Sequence, residues 1–303
     1  MDRTYINEVQ KEIGNTVKVQ GFIENLRNSK YMAFIVLKDI TGKLQITIEK
    51  EDHPDLVGTI DQLTPDSVIT VTGKVVANDY VKMGGIEMIP EAIQVESIAD
   101  ALPIARKAIA ATKKKKAVER SSIDQRIDYR WVDLRTDENQ LMFKAQSCMV
   151  NAMRKFLLDR NFIEIHTPKL IAAASESGSE VFKVDYFDRN AYLAQSPQFY
   201  KQMAMAAGFE RIFETGPVFR AEKSYTNKHA TEFSGFDLEF SYITSYKDVM
   251  AMEEQLLKAG LQAVKDAYGD QIQELFGKEV IVPETPFPVV KLADLYKGLE
   301  EDF

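Results

Sequence analysis

The sequence is poor in the residue types that mark disulfide-rich, metal-binding and membrane proteins. Its 303 residues include three histidines and one cysteine, Cys148. A single cysteine excludes an internal disulfide and suits a reducing compartment. No apolar run approaches the roughly 20 residues of a membrane span, and the first residues have no apolar core of a signal peptide. We therefore expect a cytoplasmic protein that has no membrane segment.

Basic residues are fewer than acidic residues, and they are unevenly distributed along the chain. The net charge is −8, whereas a simple nucleic-acid-binding protein tends to be basic. Residues 1–100 hold 10 basic and 16 acidic residues, and residues 136–303 hold 18 and 26, but residues 101–135 hold 10 and 4. This basic segment contains Lys113–Lys116. It is either a solvated linker or a strip that contacts phosphate groups between two domains.

Short strands dominate the first hundred residues. Alternating apolar and polar residues, interrupted by turn-prone pairs, predict the strands Val17–Leu26, Tyr31–Lys38, Leu44–Glu49, Val68–Val76 and Ile86–Val95. Five strands in about 80 residues are typical of a small closed barrel such as the OB-fold. The alternation exposes Phe34 and Gln45 on the outer face. Phe34 is either a core residue or a ring that stacks on an unpaired base, and the nearby amide of Gln45 favours the second interpretation.

Helices join the strands after residue 136, which predicts an α+β fold for this part. An apolar stripe predicts a helix from Asp137 to Arg160, stopped by Asn161 and followed by the strand Phe162–His166. A second helix is predicted over Tyr246–Tyr268, where Ser245-x-x-Asp248 forms a capping box.

The pattern richest in chemistry is Phe219-Arg220-Ala221-Glu222, followed after six residues by His229-Ala230-Thr231-Glu232-Phe233. Residue alternation predicts a β-hairpin here, with arms Ile212–Glu222 and Glu232–Tyr242. Such a hairpin offers a cation for a phosphate, a carboxylate that accepts from a base amine, and a ring that stacks on a base. A nucleotide needs these contacts. The alternative is a surface hairpin with ordinary ion pairs.

The hairpin resembles motif 2 of the class II aminoacyl-tRNA synthetases that charge Asp, Asn and Lys, and the resemblance extends from about Val17 to Phe303. It is closest to the aspartyl-tRNA synthetases of archaeal and eukaryotic type. The resemblance implies an α+β protein. An N-terminal OB-fold β-barrel at residues 1–100 would bind the anticodon, and a basic hinge at 101–135 would lie beside the tRNA. Residues 136–303 would form an incomplete class II catalytic domain, an antiparallel sheet flanked by helices.

The implied activity is aspartate–tRNA ligation. ATP and aspartate form aspartyl-adenylate, and the aspartyl group passes to tRNA-Asp, or to tRNA-Asn as well. Arg220 matches the catalytic contact to the α-phosphate, Glu222 the contact to the adenine amine, and Phe233 the ring stacked on adenine. His229 would reach the terminal phosphates. The polar loop 223–228 either follows the acceptor end of the tRNA or is a flexible turn.

Two further segments resemble the parts of the family that select the amino acid. Glu176, in Ser175–Glu180, matches the carboxylate of a mobile loop that holds the substrate ammonium group. Within Gln195–Lys201, Gln198 would orient the substrate and Lys201 would pair with its side-chain carboxylate, which favours aspartate over asparagine. Alternatively, Lys201 is a surface lysine. The synthetase interpretation requires Arg220 and Lys201 to converge on one cavity.

The resemblance also assigns residues to the anticodon and to a dimer interface. Phe34 and Gln45 match positions that contact the middle anticodon base, and Arg27, expected on the loop between the first two strands, matches another. Pro168, after the strand Phe162–His166, matches the proline of motif 1. The resemblance therefore implies a homodimer that forms through motif 1.

The pattern of the family is incomplete in this sequence. Its third motif, a glycine-rich strand and helix with an arginine on ATP, has no match, nor do the carboxylates expected to hold Mg²⁺, so no metal ligand is assigned. We expect the 303-residue chain alone to have little or no aminoacylation activity. Two alternatives remain open. One is a catalytically inactive, truncated synthetase-like protein that binds tRNA or a nucleotide. The other is an asparaginyl-tRNA synthetase or a related asparagine-making paralogue.

Overall fold

The chain forms two compact units. The structure, a computed structural model, describes residues 1–108, 118–175, 180–223, 226 and 228–301, the last five by their backbone alone. The first unit comprises Met1–Asp133 and the second Leu134–Phe303. Lys113–Lys116 and Glu176, both singled out by the sequence, lie outside the described residues.

The first unit is built around a closed five-stranded barrel with the strand order β1-β2-β3-β5-β4. A 3₁₀-helix, Ile6–Glu12, precedes it. The elements are β1 (Thr16–Asn28), β2 (Met32–Lys38), β3 (Lys43–Glu49), α1 (Val57–Gln62), β4 (Val68–Ala77) and β5 (Ile86–Ser97). β3 and β5 pair in parallel, and the other neighbours are antiparallel. This is the OB-fold barrel that the sequence predicts.

The alternation of the strands fills the barrel with branched aliphatic side chains. Ile23, Ile35, Ile46 and Ile69 have no exposed surface. At Gly21 the strands approach so closely that an added Cβ would lie 2.3 Å from the carbonyl oxygen of Lys38. A side chain there would push β1 and β2 apart, so the missing Cβ allows the barrel to close.

Two buried carboxylates hold the segment that follows the barrel. Asp66 receives two hydrogen bonds from Arg106, of 3.0 and 2.7 Å. Asp133, with no exposed surface, receives 3.0 and 2.9 Å bonds from Arg126 and Arg130. These arginines lie in the segment for which we predict a basic hinge, and their charge is partly committed to internal pairs. The last two belong to the short helices α2 (Ile123–Asp128) and α3 (Arg130–Asp133).

The described part of the second unit contains two three-stranded sheets, ordered β11-β10-β6 and β7-β9-β8. The strands are β6 (Ile163–Glu164), β7 (Leu170–Ile171), β8 (Lys183–Tyr186), β9 (Arg189–Leu193), β10 (Arg211–Phe219) and β11 (Glu232–Phe240). The helices are α4 (Asp137–Leu158), α5 (Gln198–Ala206), α6 (Tyr246–Phe276) and α7 (Leu292–Glu301). The hairpin β10–β11 is antiparallel, as we expect, and the two-residue strand β6 joins β10 in parallel.

Helices α4 and α6 cover one face of the β11-β10-β6 sheet. Phe213 has no exposed surface and stacks on Phe236 with ring centroids 5.8 Å apart. The core also includes Met153, Phe156, Leu157, Phe162 and Leu256. α6 passes close to α4 at Gly260, where an added Cβ would lie 3.0 Å from Met149 and Met153. The opposite face of the hairpin is thereby left for polar residues.

Several element boundaries differ from those predicted. β10 ends at Phe219 and β11 at Phe240, so Arg220 and Glu222 lie beyond the first arm. Tyr242, predicted to continue the apolar face, is 87% exposed and has a left-handed backbone (φ 59°). Helix α6, which the sequence predicts to end at Tyr268, continues to Phe276. Gly277, in a left-handed conformation, ends it. The capping box of Ser245 and Asp248 is confirmed.

Candidate active site

The polar face of the β10–β11 hairpin brings several charged side chains together. Strand register pairs Val218 with Phe233 and Glu214 with Asp237. Since neighbouring side chains on a strand point to opposite faces, Glu214, Phe233, Asp237 and Glu239 all lie on the face that the helices α4 and α6 do not cover.

Lys201 lies over the part of this face that carries Asp237 and Glu239. It is only 6% exposed, although it belongs to the first turns of the short helix α5. Its ammonium group forms a close ion pair with Asp237 and a second with Glu239, at 3.1 Å. Lys201 is therefore not the surface lysine of the alternative interpretation, and it is not an isolated cation either. The three side chains together carry a formal charge of −1.

The electrostatics keep Lys201 charged. Burial disfavours the ammonium form, but hydrogen bonds and charges from Asp237 and then Glu239 outweigh burial and raise the pKa of Lys201 above its usual value. An ammonium group has three N–H donors. The two carboxylates occupy two of them, which leaves one donor for a further acceptor.

Arg220 lies beyond the end of β10, where its backbone N–H donates to Thr231 across the hairpin at 2.9 Å. Its guanidinium carbon lies 5.6 Å from the ring centroid of Phe233, a cation–π contact. Its Nε is buried and has no hydrogen-bond partner among the described residues. Since an unpaired buried donor is costly, this guanidinium is suited to receive an anion. Arg220 and Lys201 both lie on the hairpin face that carries Phe233.

The remaining predicted residues are near the hairpin but make fewer contacts. Glu222 and Gln198 are half-buried, and Gln198 is the first residue of α5. His229 is exposed, and its Nδ1 lies 2.6 Å from the hydroxyl of Thr226. Phe233 is 39% exposed, so one side of its ring is open.

The buried carboxylate of Glu214 connects the hairpin to the segment after β6. It accepts hydrogen bonds from the backbone and hydroxyl of Thr167, at 2.9 and 2.7 Å, and from Lys169 at 2.9 Å. Burial raises the pKa of the Glu214 carboxyl, but the bonds from Thr167 and then Lys169 outweigh burial and lower it below its usual value. The segment around Pro168 is thereby fixed against the strand that leads to Arg220.

The predicted anticodon residues form one patch on the outer face of the barrel. Arg27 pairs with Phe34 across β1 and β2, and Phe34 pairs with Thr47 across β2 and β3. Arg27 lies within β1, not on the loop that we predict for it, because β1 extends to Asn28. Phe34 and Gln45 are half-buried, whereas the alternation predicts that they are exposed.

The burial of Gln45 has a specific cause. Its amide nitrogen donates to Thr47 at 3.1 Å and to the nearly buried carboxylate of Glu87 at 3.2 Å. Glu87 also accepts from the hydroxyl of Thr47 and, at 2.7 Å, from Asn78. Because the amide N–H groups face inward, the carbonyl oxygen of Gln45 is left as an acceptor on the patch.

Metal binding and membrane insertion find no support within the described ranges. No three His, Cys, Asp or Glu side chains there are grouped so that they could hold a metal ion. The resemblance implies Mg²⁺ together with ATP and assigns it no ligand in this sequence, and no step below involves it. None of the described helices combines the length and apolar character of a transmembrane span.

Two family models match this chain. Residues 122–301 match the class II tRNA synthetases (D, K and N), and residues 17–96 match the OB-fold nucleic acid binding domain. The first match covers more than half of the sequence. The chain belongs to the class II tRNA synthetases of the D, K and N group.

Individual members of this synthetase group are similar over most of the chain. The aspartate–tRNA(Asp/Asn) ligase of Methanopyrus kandleri is 43% identical over 290 residues, which are 95% of this chain and 65% of that protein. The aspartate–tRNA(Asp) ligase of Thermoplasma volcanium is 34% identical over 100% of this chain and 68% of its own length. The chain thus spans about two thirds of the length of the relatives it matches.

Solved structures of this group share the fold. Asparaginyl-tRNA synthetase from Pyrococcus horikoshii, complexed with asparaginyl-adenylate, superposes with a TM-score of 0.88 at 27% identity and covers 100% of this chain and 68% of its own. Aspartyl-tRNA synthetase from Entamoeba histolytica has a TM-score of 0.81 at 28% identity. The match covers 100% of this chain and 63% of that protein. The predicted family is therefore confirmed.

Several charged residues of the hairpin face and of the barrel patch are not among those that the sequence predicts. Asp237 and Glu239 share the parity of Phe233 in the predicted arm Glu232–Tyr242, and that alternation is the one signal for them. Glu214, Lys169 and Glu87 had no such signal, because the contacts of Glu214 with Thr167 and Lys169, and of Glu87 with Gln45, join positions more than 40 residues apart in the chain.

Proposed function

We propose that this chain is the part of an aspartate–tRNA ligase that binds ATP, aspartate and the anticodon. The observation that carries the proposal is the common face of the β10–β11 hairpin, where Lys201, paired with two carboxylates, shares a sheet surface with Arg220 and Phe233. The relatives named aspartate–tRNA ligase support it. The cytoplasm is the proposed compartment, since translation consumes charged tRNA there.

The proposed reaction has two steps. The α-carboxylate of aspartate attacks the α-phosphorus of ATP, the bond to the leaving pyrophosphate breaks, and aspartyl-adenylate forms. A terminal tRNA hydroxyl then attacks the acyl carbon and releases AMP. In the first step Arg220 binds two α-phosphate oxygens, because its planar fork matches them, and stabilises the charge that gathers there. Phe233 stacks on adenine, Glu222 accepts from its amine, and His229 reaches the terminal phosphates.

Amino-acid recognition follows from the charges around Lys201. The remaining N–H donor of Lys201 binds the side-chain carboxylate of aspartate. Asp237 and Glu239, which leave the cluster with a charge of −1, face the substrate ammonium group. An asparagine amide offers the lysine a weaker acceptor than a carboxylate does, so aspartate is preferred. Gln198 and Glu176 complete the proposed amino-acid site.

The barrel patch is proposed to bind the anticodon of tRNA-Asp, and of tRNA-Asn as a second substrate. Phe34 stacks on an unpaired base, the carbonyl oxygen of Gln45 accepts from a base edge, and Arg27 contacts the backbone. The OB-fold family match over residues 17–96 supports this role.

A homodimer that forms through α4 and β6 is proposed as the assembly. Both elements carry large apolar side chains at the surface, namely Met142, Phe143, Leu158 and Ile163, each about half exposed. Sedimentation equilibrium measures the oligomeric state of the chain and of a Phe143→Glu variant. The proposal requires a dimer whose dissociation constant rises in the variant, and it fails if the chain is monomeric throughout.

Binding of a non-hydrolysable aspartyl-adenylate analogue, aspartyl-sulfamoyl-adenosine, tests the proposed site directly. We expect the 303-residue chain to bind it more tightly than the asparaginyl analogue. Arg220→Ala should weaken both analogues by about tenfold or more. Lys201→Met should remove the preference between them. Arg189→Ala, an exposed change, is the matched control.

The same titration separates the two remaining alternatives. A preference for the asparaginyl analogue would replace aspartate with asparagine, the amino acid in the Pyrococcus horikoshii complex. Salt-sensitive binding of tRNA without binding of either analogue would leave a tRNA-binding protein without an activation site.

A further inference from the structure

A cavity of about 390 Å³ lies on the helix-covered side of the second unit. It is bordered by the last turn of α4, the end of the β10–β11 hairpin where Arg211 pairs with Phe240, and the first turns of α6. Arg211 begins β10 and Arg220 follows its end, so about 30 Å of strand separate them. They also lie on opposite faces of the sheet, so this cavity is distinct from the candidate active site.

Two arginines line the cavity without a carboxylate partner among the described residues. Arg160 lies 3.5 Å from the ring centroid of Phe156 and donates one hydrogen bond to the carbonyl of that residue. Arg211 lies between Phe162 and Phe240, at 5.4 and 5.8 Å from their centroids. Arg154, which lies within α4, instead pairs with Glu164. The guanidinium groups of Arg160 and Arg211 thus keep most of their N–H donors available.

The acidic residue in the cavity wall does not neutralise both arginines. Asp248 accepts from the backbone of Ser245 and from the backbone and hydroxyl of Thr244, and these bonds lower the pKa of its carboxyl. Its carboxylate therefore accepts hydrogen bonds at the N-terminus of α6. With Arg160 and Arg211 charged, the wall keeps a formal charge of +1.

The backbone beside the cavity is strained. Glu210 and Tyr242 have φ angles of 64° and 59°, and the amide of Ser241 donates to the carbonyl of Glu210 at 2.8 Å. A left-handed conformation is unfavourable for a bulky side chain, and such outliers cluster at binding sites. Tyr242 lines the cavity and exposes its ring at the rim. Ile243 and Met252 supply apolar surface.

We propose that this cavity binds a small molecule in which an oxyanion, phosphate or carboxylate, is attached to a flat apolar body. The forked donors of Arg160 and Arg211 suit an oxyanion, since a guanidinium can bind two of its oxygens at once. Phe240, Met252 and the ring of Tyr242 contact the apolar body. This site is independent of the proposed ligase activity.

Isothermal titration with phenyl phosphate, benzoate, inorganic phosphate and benzyl alcohol tests the site in the 303-residue chain. We expect saturable binding of the two aryl anions, about tenfold weaker binding of inorganic phosphate, and none of the neutral alcohol. The tighter of the aryl anions identifies the oxyanion. Binding to the Arg220→Ala variant should be unchanged, which separates this cavity from the active site.

Variants locate the binding. Arg160→Gln combined with Arg211→Gln should weaken the aryl anions about tenfold or more, whereas Arg154→Gln, outside the cavity, should not. Ala251→Trp fills the opening without changing the charge and should also abolish binding, which guards against misfolding of the double variant. The proposal is overturned if neither aryl anion saturates, or if both the double variant and Ala251→Trp bind as the unaltered chain does.

Discussion

The barrel and the β10–β11 sheet use their two faces differently. In the barrel, every strand has a neighbour on both sides, and the inner residues, such as Ile35 and Ile46, have no exposed surface. In the second unit, one face of the sheet packs Phe213 against α4 and α6, while the other face holds Lys201 and three carboxylates. The closed barrel gains stability from nearly continuous apolar burial, whereas the open sheet holds charged side chains on one face.

Two of the buried carboxylates, Glu87 on the barrel and Glu214 in the sheet, are held in different ways. Glu87 on the barrel accepts from three neutral groups, Thr47, Gln45 and Asn78. Glu214 in the sheet is compensated by an ammonium group, that of Lys169. Glu87 is thus held by neutral hydrogen bonds alone, whereas Glu214 also has a cation as partner.

The largest expected effect comes from removing a core ring. Phe213→Ala should cost about 3–5 kcal/mol and Ile46→Ala about 2–5 kcal/mol, because each leaves a cavity in a closely packed core. We expect the loss of amide hydrogen-exchange protection to stay within the unit that carries the change. A loss that spreads across both units after either substitution would contradict the division into two independently stable regions.

The variant Glu214→Gln tests whether the charge of Glu214, unlike that of Glu87, is stabilised by a cation partner. We expect a loss of about 1–3 kcal/mol near neutral pH, because Lys169 and Thr167 lose an ionised acceptor. The native pKa of Glu214 is lowered, so its contribution is present above the unfolded value of about 4.3 and disappears as the pH falls through the native pKa.

Chemical denaturation of both proteins between pH 3 and 7 measures this effect. The difference in free energy of unfolding should shrink as the solution is acidified below about pH 4. A difference that is independent of pH would mean that Glu214 contributes through packing and not through its charge.

Phe34→Ala tests whether the barrel surface serves binding and not stability. We expect an anticodon stem-loop of tRNA-Asp to bind about 10- to 100-fold more weakly, as the loss of one stacked base predicts, at a fixed salt concentration. Ile13→Ala, at an exposed position outside the patch, should bind as the unaltered chain does. Equal affinities of all three proteins would argue against stacking on Phe34.

The smallest expected effect comes from removing an exposed ion pair. Lys155 and Asp159 form an exposed pair four residues apart at the end of α4, with Nζ 2.9 Å from the carboxylate. Lys155→Ala should change the free energy of unfolding by about 0.3–0.5 kcal/mol and less at high salt, because water and ions screen the pair. A loss comparable to that of Glu214→Gln would remove the distinction between buried and exposed charge.

Much of the architecture could be predicted because it depends on local patterns. Alternation of period two located the barrel strands and the hairpin, and the capping box at Ser245 located the start of α6. The same alternation did not predict where the hairpin strands end. It carried β10 through Glu222 and β11 through Tyr242, because residue parity alone does not reveal where the hydrogen-bonded ladder stops.

By itself, the sequence determined the barrel strands, the hairpin and the family motifs, since these follow from residue type and short-range periodicity. Only the tertiary structure decided that Lys201 meets Asp237, 36 residues away, that Glu87 restrains Gln45, 42 residues away, and that Arg160 and Arg211 line one cavity. Such contacts depend on strand register and helix packing, which place distant segments side by side and leave no periodic trace in the chain.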